Sequence, residues 1–305
     1  MAASDTVFPA ALDSALARVS NGEPLSVDEL TRLAESPDIL SIGMLADAVR
    51  RRVRGTQVTF LRVVLVDVTQ PVGASAIPAA AREVRLTSSP ETLEAALESV
   101  QALRTVAGER TVSGLSWMDI DRWAGANGGH KAVLAALRTA GLGAIAELPL
   151  DLEDAPERAL AAITEAGFGG VRLTISKAAA IGERFPQFLR AASLCARFPQ
   201  IEALAPLPMS LNAFRPTTGY DDVKAVALAR LAMPHVPHVQ VDWLRYGPKL
   251  AQVALTFGAD DLDNVSSLDD APDGRRRAPI EELKKNVESA GFTAVERDGR
   301  FATLV

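Results

Sequence analysis

Thiols are nearly absent from this sequence: 305 residues include one cysteine, Cys195. One thiol can neither close an intramolecular disulfide nor supply a multi-thiolate metal site. Aromatic residues are scarce, at 5%, and there are three histidines. Basic residues do not exceed acidic ones. The count is 32 Lys and Arg against 38 Asp and Glu, a net charge of −6, which argues against a nucleic-acid partner held by phosphate neutralisation. No run of about 18 apolar residues occurs, and residues 1–8 lack a basic stretch leading into an apolar one. The expectation is a cytoplasmic protein with neither signal peptide nor membrane span. What is present is ordinary for a folded chain: 48% hydrophobic and 23% charged residues support a large core rather than disorder.

Elements can be read from spacing. Ser26 and Glu29 form a capping box ahead of a helix over 27–34. A second helix follows Pro37, with Ile39, Ile42, Leu45, Ala46, Val49 and Val53 at helical spacing and Gly55 placed to end it. Residues 57–68 are nearly continuous in apolar character, as a parallel strand covered on both faces should be. Helices then alternate with strands over 110–115, 144–148, 170–175, 202–207, 238–243 and 260–264. Repetition of this rhythm predicts an α/β fold, a TIM-type (β/α) barrel. One unit is expected to be degraded or shortened, because no strand is evident between Leu115 and Lys131. A last helix over 279–289 precedes a hairpin over 293–305 folded at Asp298-Gly299. The chain reads as one domain, with a helical lead-in over 1–55, the barrel over 56–265 and an extension over 266–305.

Several blocks resemble a known family. They are Pro216-Thr-Thr-Gly-Tyr-Asp-Asp-Val-Lys224, Ala229-Arg-Leu231, His238, Trp243, Gly247-Pro-Lys-Leu-Ala-Gln-Val-Ala-Leu255 and Phe257-Gly-Ala-Asp-Asp-Leu262, with weaker agreement at Leu25-Ser-Val-Asp-Glu29, Leu45-Ala-Asp47, Val49-Arg50 and Val58-Thr-Phe60. Together they resemble aminofutalosine synthase, a radical S-adenosylmethionine (SAM) enzyme of the futalosine route to menaquinone. Dehypoxanthine futalosine cyclase and the deazaflavin-forming synthase subunit look similar, though less so over 216–255. The resemblance implies a loop after the first strand in which three cysteines hold a four-iron cluster. Continued without a gap, those cysteines fall on Val72, Ala76 and Ala79. None can ligate iron, which such clusters take through thiolates or an occasional imidazole, and Asp67 offers only a hard oxygen. The implied cluster is expected to be absent, with the usual hold on SAM gone too. Two glycine motifs also depart from the family, as Val112-Ser-Gly-Leu115 and Gly143-Ala-Ile-Ala-Glu147. The resulting reading is a degenerate relative: a pseudoenzyme keeping a pocket for an aromatic carboxylate or nucleoside, or a partner protein for an active relative. A repurposed acid–base enzyme is the alternative, and a retained radical enzyme comes last.

In a barrel the site lies at the C-terminal ends of the strands. Residues expected there are Asp67, Ser113, Glu147, Arg172, Thr174, Ser210, Asn212, Asp242, Trp243 and Asp261. Glu147, Asp67 and Asp242 are the candidates for acid–base work, and Arg172 for a bidentate hold on a carboxylate. The competing reading of Glu147, Arg172 and Asp242 is a structural ion pair. Thr218 is a candidate cap for the helix carrying Asp221 and Asp222, His130 a helix start, and Cys195 a buried hydrophobe. No metal site is expected.

Overall fold

The computed structural model describes residues 4–67, 73, 77–176, 180–208, 219–271 and 277–304, with side chains from residue 12 onward. Three helices lead in: α1 (Ser4–Asn21), α2 (Val27–Glu35) and α3 (Ile39–Arg54). The capping box forms, with the Ser26 amide donating to Glu29 Oε2 at 2.8 Å and the Glu29 amide to Ser26 Oγ at 3.2 Å. Gly55 ends α3 at a φ of 62°, a value that favours glycine.

Eight parallel strands follow: β1 (Gln57–Val66), β2 (Glu83–Leu86), β3 (Thr111–Ser116), β4 (Ala144–Pro149), β5 (Val171–Ile175), β6 (Ile201–Pro206), β7 (His238–Asp242) and β8 (Asp261–Ser266). Neighbours pair in chain order, and β1 pairs with both β8 and β2, so the sheet closes on itself. Between the strands run α4 (Leu93–Ala107), α5 (Trp117–Ala124), α6 (His130–Ala140), α7 (Pro156–Glu165), α8 (Ile181–Cys195), α9 (Tyr220–Ala232) and α10 (Trp243–Leu255), with α11 (Pro279–Ser289) after β8. The chain is a TIM-type barrel. Among these helices α9 is buried on nearly every side, from Asp222 to Leu231. Such a helix must be covered outside as well as inside, and α2, α3 and α8 provide that cover.

The expected degraded unit is not where the sequence placed it. The interval from Leu115 to Lys131 holds α5 and the start of α6, and the strand missed in the sequence is β2. It is four residues long, and two of them, Glu83 and Arg85, are charged and turned into the barrel. An apolar pattern could not reveal it.

The C-terminal hairpin is also corrected in part. Its first arm is β9 (Thr293–Glu296), which pairs in parallel with the lower half of β1, Gln57 to Phe60. β2 takes the upper half, Val63 to Val66. β9 therefore fills the wedge beneath β2. A single antiparallel bridge, Arg297 with Thr303, remains of the hairpin, and the turn between them runs under the barrel floor. There, a Cβ on Gly299 would lie 2.5 Å from Glu83 Oε2 and 2.8 Å from Thr111 Cβ. Gly299→Ala is therefore expected to cost about 1–3 kcal/mol by overpacking, read as a lower urea midpoint; an unchanged midpoint would show that the tail does not seal the floor.

Candidate functional site

A barrel of this type usually fills its interior with branched apolar side chains. Here the filling is ionic. Alternation along β8 turns Asp261 and Asp263 inward and Leu262 outward. Asp263 receives Arg85 from β2 in a fork, Nη1 to Oδ2 at 2.9 Å and Nη2 to Oδ1 at 3.0 Å. From the far wall, Arg172 of β5 donates Nη1 to the same carboxylate. Arg172 also donates Nε to the Ala146 carbonyl at 2.9 Å and Nη1 to Gln240 Oε1 at 3.0 Å. Arg85 donates Nε to Glu83 Oε1 at 2.7 Å, and Glu83 takes the Ser113 hydroxyl as well.

One layer lower, Asp261 accepts Arg297 through Nε at 2.6 Å and Nη2 at 2.7 Å, with Thr59 Oγ1 at 2.6 Å and Gln240 Nε2 at 2.7 Å completing it. Outside the sheet, Asp260 binds Arg230, His238 Nδ1 at 2.9 Å and Arg54 Nε at 3.2 Å. Phe301 of the tail closes the floor, stacked on His238 at 5.4 Å with the Arg297 guanidinium 4.1 Å over its ring. Burial opposes ionisation of all three acids, and the arginines outweigh it. Asp260, Asp261 and Asp263 are each held below the usual carboxylate range, by Arg230, by Arg297 and by Arg85 with Arg172 respectively. A cavity of about 30 Å³ is left among Leu61, Arg85, Ser113, Arg172, Gln240 and Phe301, enough for a water molecule and little more.

The upper barrel differs. Thr174 is fully buried on the inward face of β5, and its hydroxyl has no hydrogen-bond partner among the described residues. Asp242, at the end of β7, caps α10 by accepting the Arg245 amide at 2.9 Å and also accepts Asn264 Nδ2 at 2.9 Å. Asn264 reaches it from a bulge with φ of 60°. Trp243 begins α10 and lines a groove of about 580 Å³ at the C-terminal rim, with Val64, Leu65, Leu244 and Leu268.

The candidates from the sequence thus separate. Thr174, Asp242 and Trp243 lie at the upper end, as expected, and Asp67 is exposed just beyond β1. Glu147 is half-buried on β4 beside a crevice with Ile145, Phe168 and Arg172. Ser113, Arg172 and Asp261 are corrected: they sit below the mouth in the ionic filling, because their strands begin near the floor and their side chains find partners there. Ser210, Asn212, Thr218, Val72 and Ala76 lie outside the described residues. Ala79 is in the turn before β2, where its carbonyl accepts Arg110 Nη2 at 3.2 Å. The N-cap of α9 is Gly219, with φ of 79°. Arg85, Glu83, Gln240, Asp263 and Arg297 were not anticipated. Charged residues two apart in strand-like stretches, Glu83 with Arg85 and Asp261 with Asp263, were the available signal. His130 opens α6 and stacks on Trp117 at 4.9 Å. Among the described residues no three His, Cys, Asp or Glu side chains converge as metal donors.

A closed parallel barrel with helical lead-in and a charged interior defines the class. Methylornithine synthase (PylB) superposes with a TM-score of 0.64 at 15% identity, covering 91% of this chain and 96% of that one. The FeFe-hydrogenase maturase HydG from Carboxydothermus hydrogenoformans gives 0.64 at 13% identity, covering 95% and 81%. Those likenesses show the fold. Sequence goes further: residues 209–303 match the family model for the CofH/MqnC C-terminal region. The 5-amino-6-(D-ribitylamino)uracil–L-tyrosine 4-hydroxyphenyl transferase of Archaeoglobus fulgidus is 35% identical over 117 residues, 34% of each chain. The aminodeoxyfutalosine synthase of Streptomyces coelicolor is 38% identical over 93 residues, 28% of this chain and 24% of its own length. The chain is a TIM-type barrel that over residues 209–303 is similar to the CofH/MqnC C-terminal region. Its match spans a quarter to a third of these relatives.

Removing one charge from the lattice should expose its role. Asp263→Asn leaves Arg85 and Arg172 buried against a neutral partner and is expected to cost about 3–5 kcal/mol. The pH dependence has a definite sign. Because the folded pKa of Asp263 is depressed, its contribution is complete above the unfolded Asp value of about 4 and fades as pH falls from there towards the lowered folded value. Urea midpoints at neutral pH and in that acidic interval check both points; the variant should show the smaller acid-induced loss.

Proposed function

We propose that this chain is a radical SAM-like barrel related to menaquinone biosynthesis that works without an iron–sulfur cluster. In this reading it is a pseudoenzyme binding an aromatic carboxylate or nucleoside at its mouth, or a partner protein of the same pathway. The observation that carries the reading is a complete barrel paired with an unsuitable donor set. A four-iron cluster of the family type needs three thiolates, and this chain has one cysteine. That residue, Cys195, is on α8 and not in the loop after β1. Burial pushes its thiol up to about 12, so it is protonated at neutral pH and a poor ligand. The residues present do not fit the cluster.

The ligand version draws support from the buried Thr174 hydroxyl above the ionic filling, which has no partner among the described residues. Buried hydroxyls are ordinarily satisfied, so a ligand atom within its reach would complete it. The acid–base alternative has less to work with. Asp67 faces water, and Asp242 is engaged as the cap of α10.

Anaerobic reconstitution with iron and sulfide is expected to leave the protein without a stoichiometric cluster or the visible absorbance of one. A full cluster anchored near residues 72–79 would falsify the reading. Thermal denaturation with SAM, nucleosides and aryl carboxylates separates its two versions, since a ligand of the native state raises the melting temperature. A shift with an aryl carboxylate or nucleoside, reduced in Thr174→Val, supports the pocket; no shift with any of them leaves the partner protein.

A further inference from the structure

A second cleft opens at the opposite end of the barrel. It has a volume of about 470 Å³ and lies along the N-terminal ends of β3, β4 and β5. Arg104, Arg110, Arg138 and Arg300 line it, with Glu109 as the single acid. The chain as a whole is acidic, at −6, and most of its described arginines are ion-paired, as the lattice above illustrates. None of these four is: among the described residues, no carboxylate lies within ion-pair distance of any of them.

Their placement is built rather than incidental. Arg110 is held by the carbonyls of Ala81 at 2.9 Å and Ala79 at 3.2 Å, and its own carbonyl holds Arg104 Nη1 at 3.0 Å. Arg138 lies over the Phe168 ring at 5.3 Å. A glycine makes the room for one of them. A Cβ on Gly141, which has φ of 108°, would strike Arg104 Cγ at 2.7 Å. Arg300 arrives on the C-terminal turn that closes the barrel floor.

We propose that this cleft binds a small phosphate-bearing anion. Planar guanidinium groups match phosphate oxygens in paired hydrogen bonds and stay charged at any working pH. Convergent arginines without internal counter-charges repel one another, and an anion removes that repulsion. The N-terminal end of a barrel ordinarily serves stability rather than chemistry. A ligand there joins Arg300 of the tail to the rim residues Arg104 and Arg138 and so tightens the floor, as an effector rather than a substrate. This assignment is independent of what binds at the mouth.

Calorimetric titration of the full chain with pyrophosphate at physiological salt tests it. Saturable one-to-one binding is expected, weakened about tenfold or more in an Arg138→Gln/Arg300→Gln double variant. Both positions are exposed, so the fold should survive, and Arg32→Gln elsewhere on the surface should bind as the parent does. Saturating pyrophosphate is also expected to raise the melting temperature by about 4 °C in the parent and not in the double variant. No binding at millimolar pyrophosphate, or equal affinity in parent and double variant, overturns the site. Equal affinity for citrate overturns its assignment to phosphate.

Discussion

Three carboxylates around the start of β8 bind five arginines and a histidine drawn from six separate parts of the chain. Asp260 faces outward to Arg54 on α3, Arg230 on α9 and His238 on β7. Asp261 faces inward to Arg297, beyond β9, and Asp263 to Arg85 on β2 and Arg172 on β5. Charges taken out of water are tolerated only when fully partnered, so each of these elements must arrive at its place before the others are stable there. The lattice therefore specifies the closure of the barrel, the docking of the lead-in helices and the path of the C-terminal tail. An apolar filling can be as stable, but it does not dictate which arginine meets which acid.

This arrangement bears on the likeness to the CofH/MqnC C-terminal region. The residues that resemble the family, including Asp222, Lys224, Arg230, His238, Asp260 and Asp261, are occupied with the fold itself. Lys224 donates to the carbonyls of Ala34 at 2.6 Å and Ser36 at 2.7 Å, fastening the end of α2. Arg230 and His238 share Asp260, and Asp222 pairs with Arg184 at 3.5 Å. A chain can keep all of these and remain a complete barrel whatever its mouth binds. Likeness to the family over residues 209–303 and a single thiol are thus compatible: ion pairs and packing close the barrel.

Much of the fold was legible in advance because it follows from local rules. The capping box at Ser26 and Glu29, the terminator Gly55 and the apolar strands β1, β5 and β7 depend on neighbours within a few residues. β2 was missed because its inward side chains are charged, so their sense depends on Asp263, 178 residues from Arg85. β9 was read as half of a hairpin because Asp298-Gly299 does mark a turn, whereas its partner strand is β1, at the far end of the chain. The candidate site divided in the same way. Thr174, Asp242 and Trp243 were placed at the upper rim from strand ends alone, while Ser113, Arg172 and Asp261 were drawn into the filling by partners that no local pattern announces.

By itself the order of residues determined the alternation of helix and strand, the parallel barrel that alternation demands, and a chemical limit: one thiol, too few for a family-type cluster. Which charges meet, where the floor closes and which arginines are left without a counter-charge were decided only by the tertiary structure. The physical reason is reach. Propensity, capping and ligand chemistry act through adjacent atoms, whereas a buried ion pair is defined by two groups that the chain brings together from opposite ends.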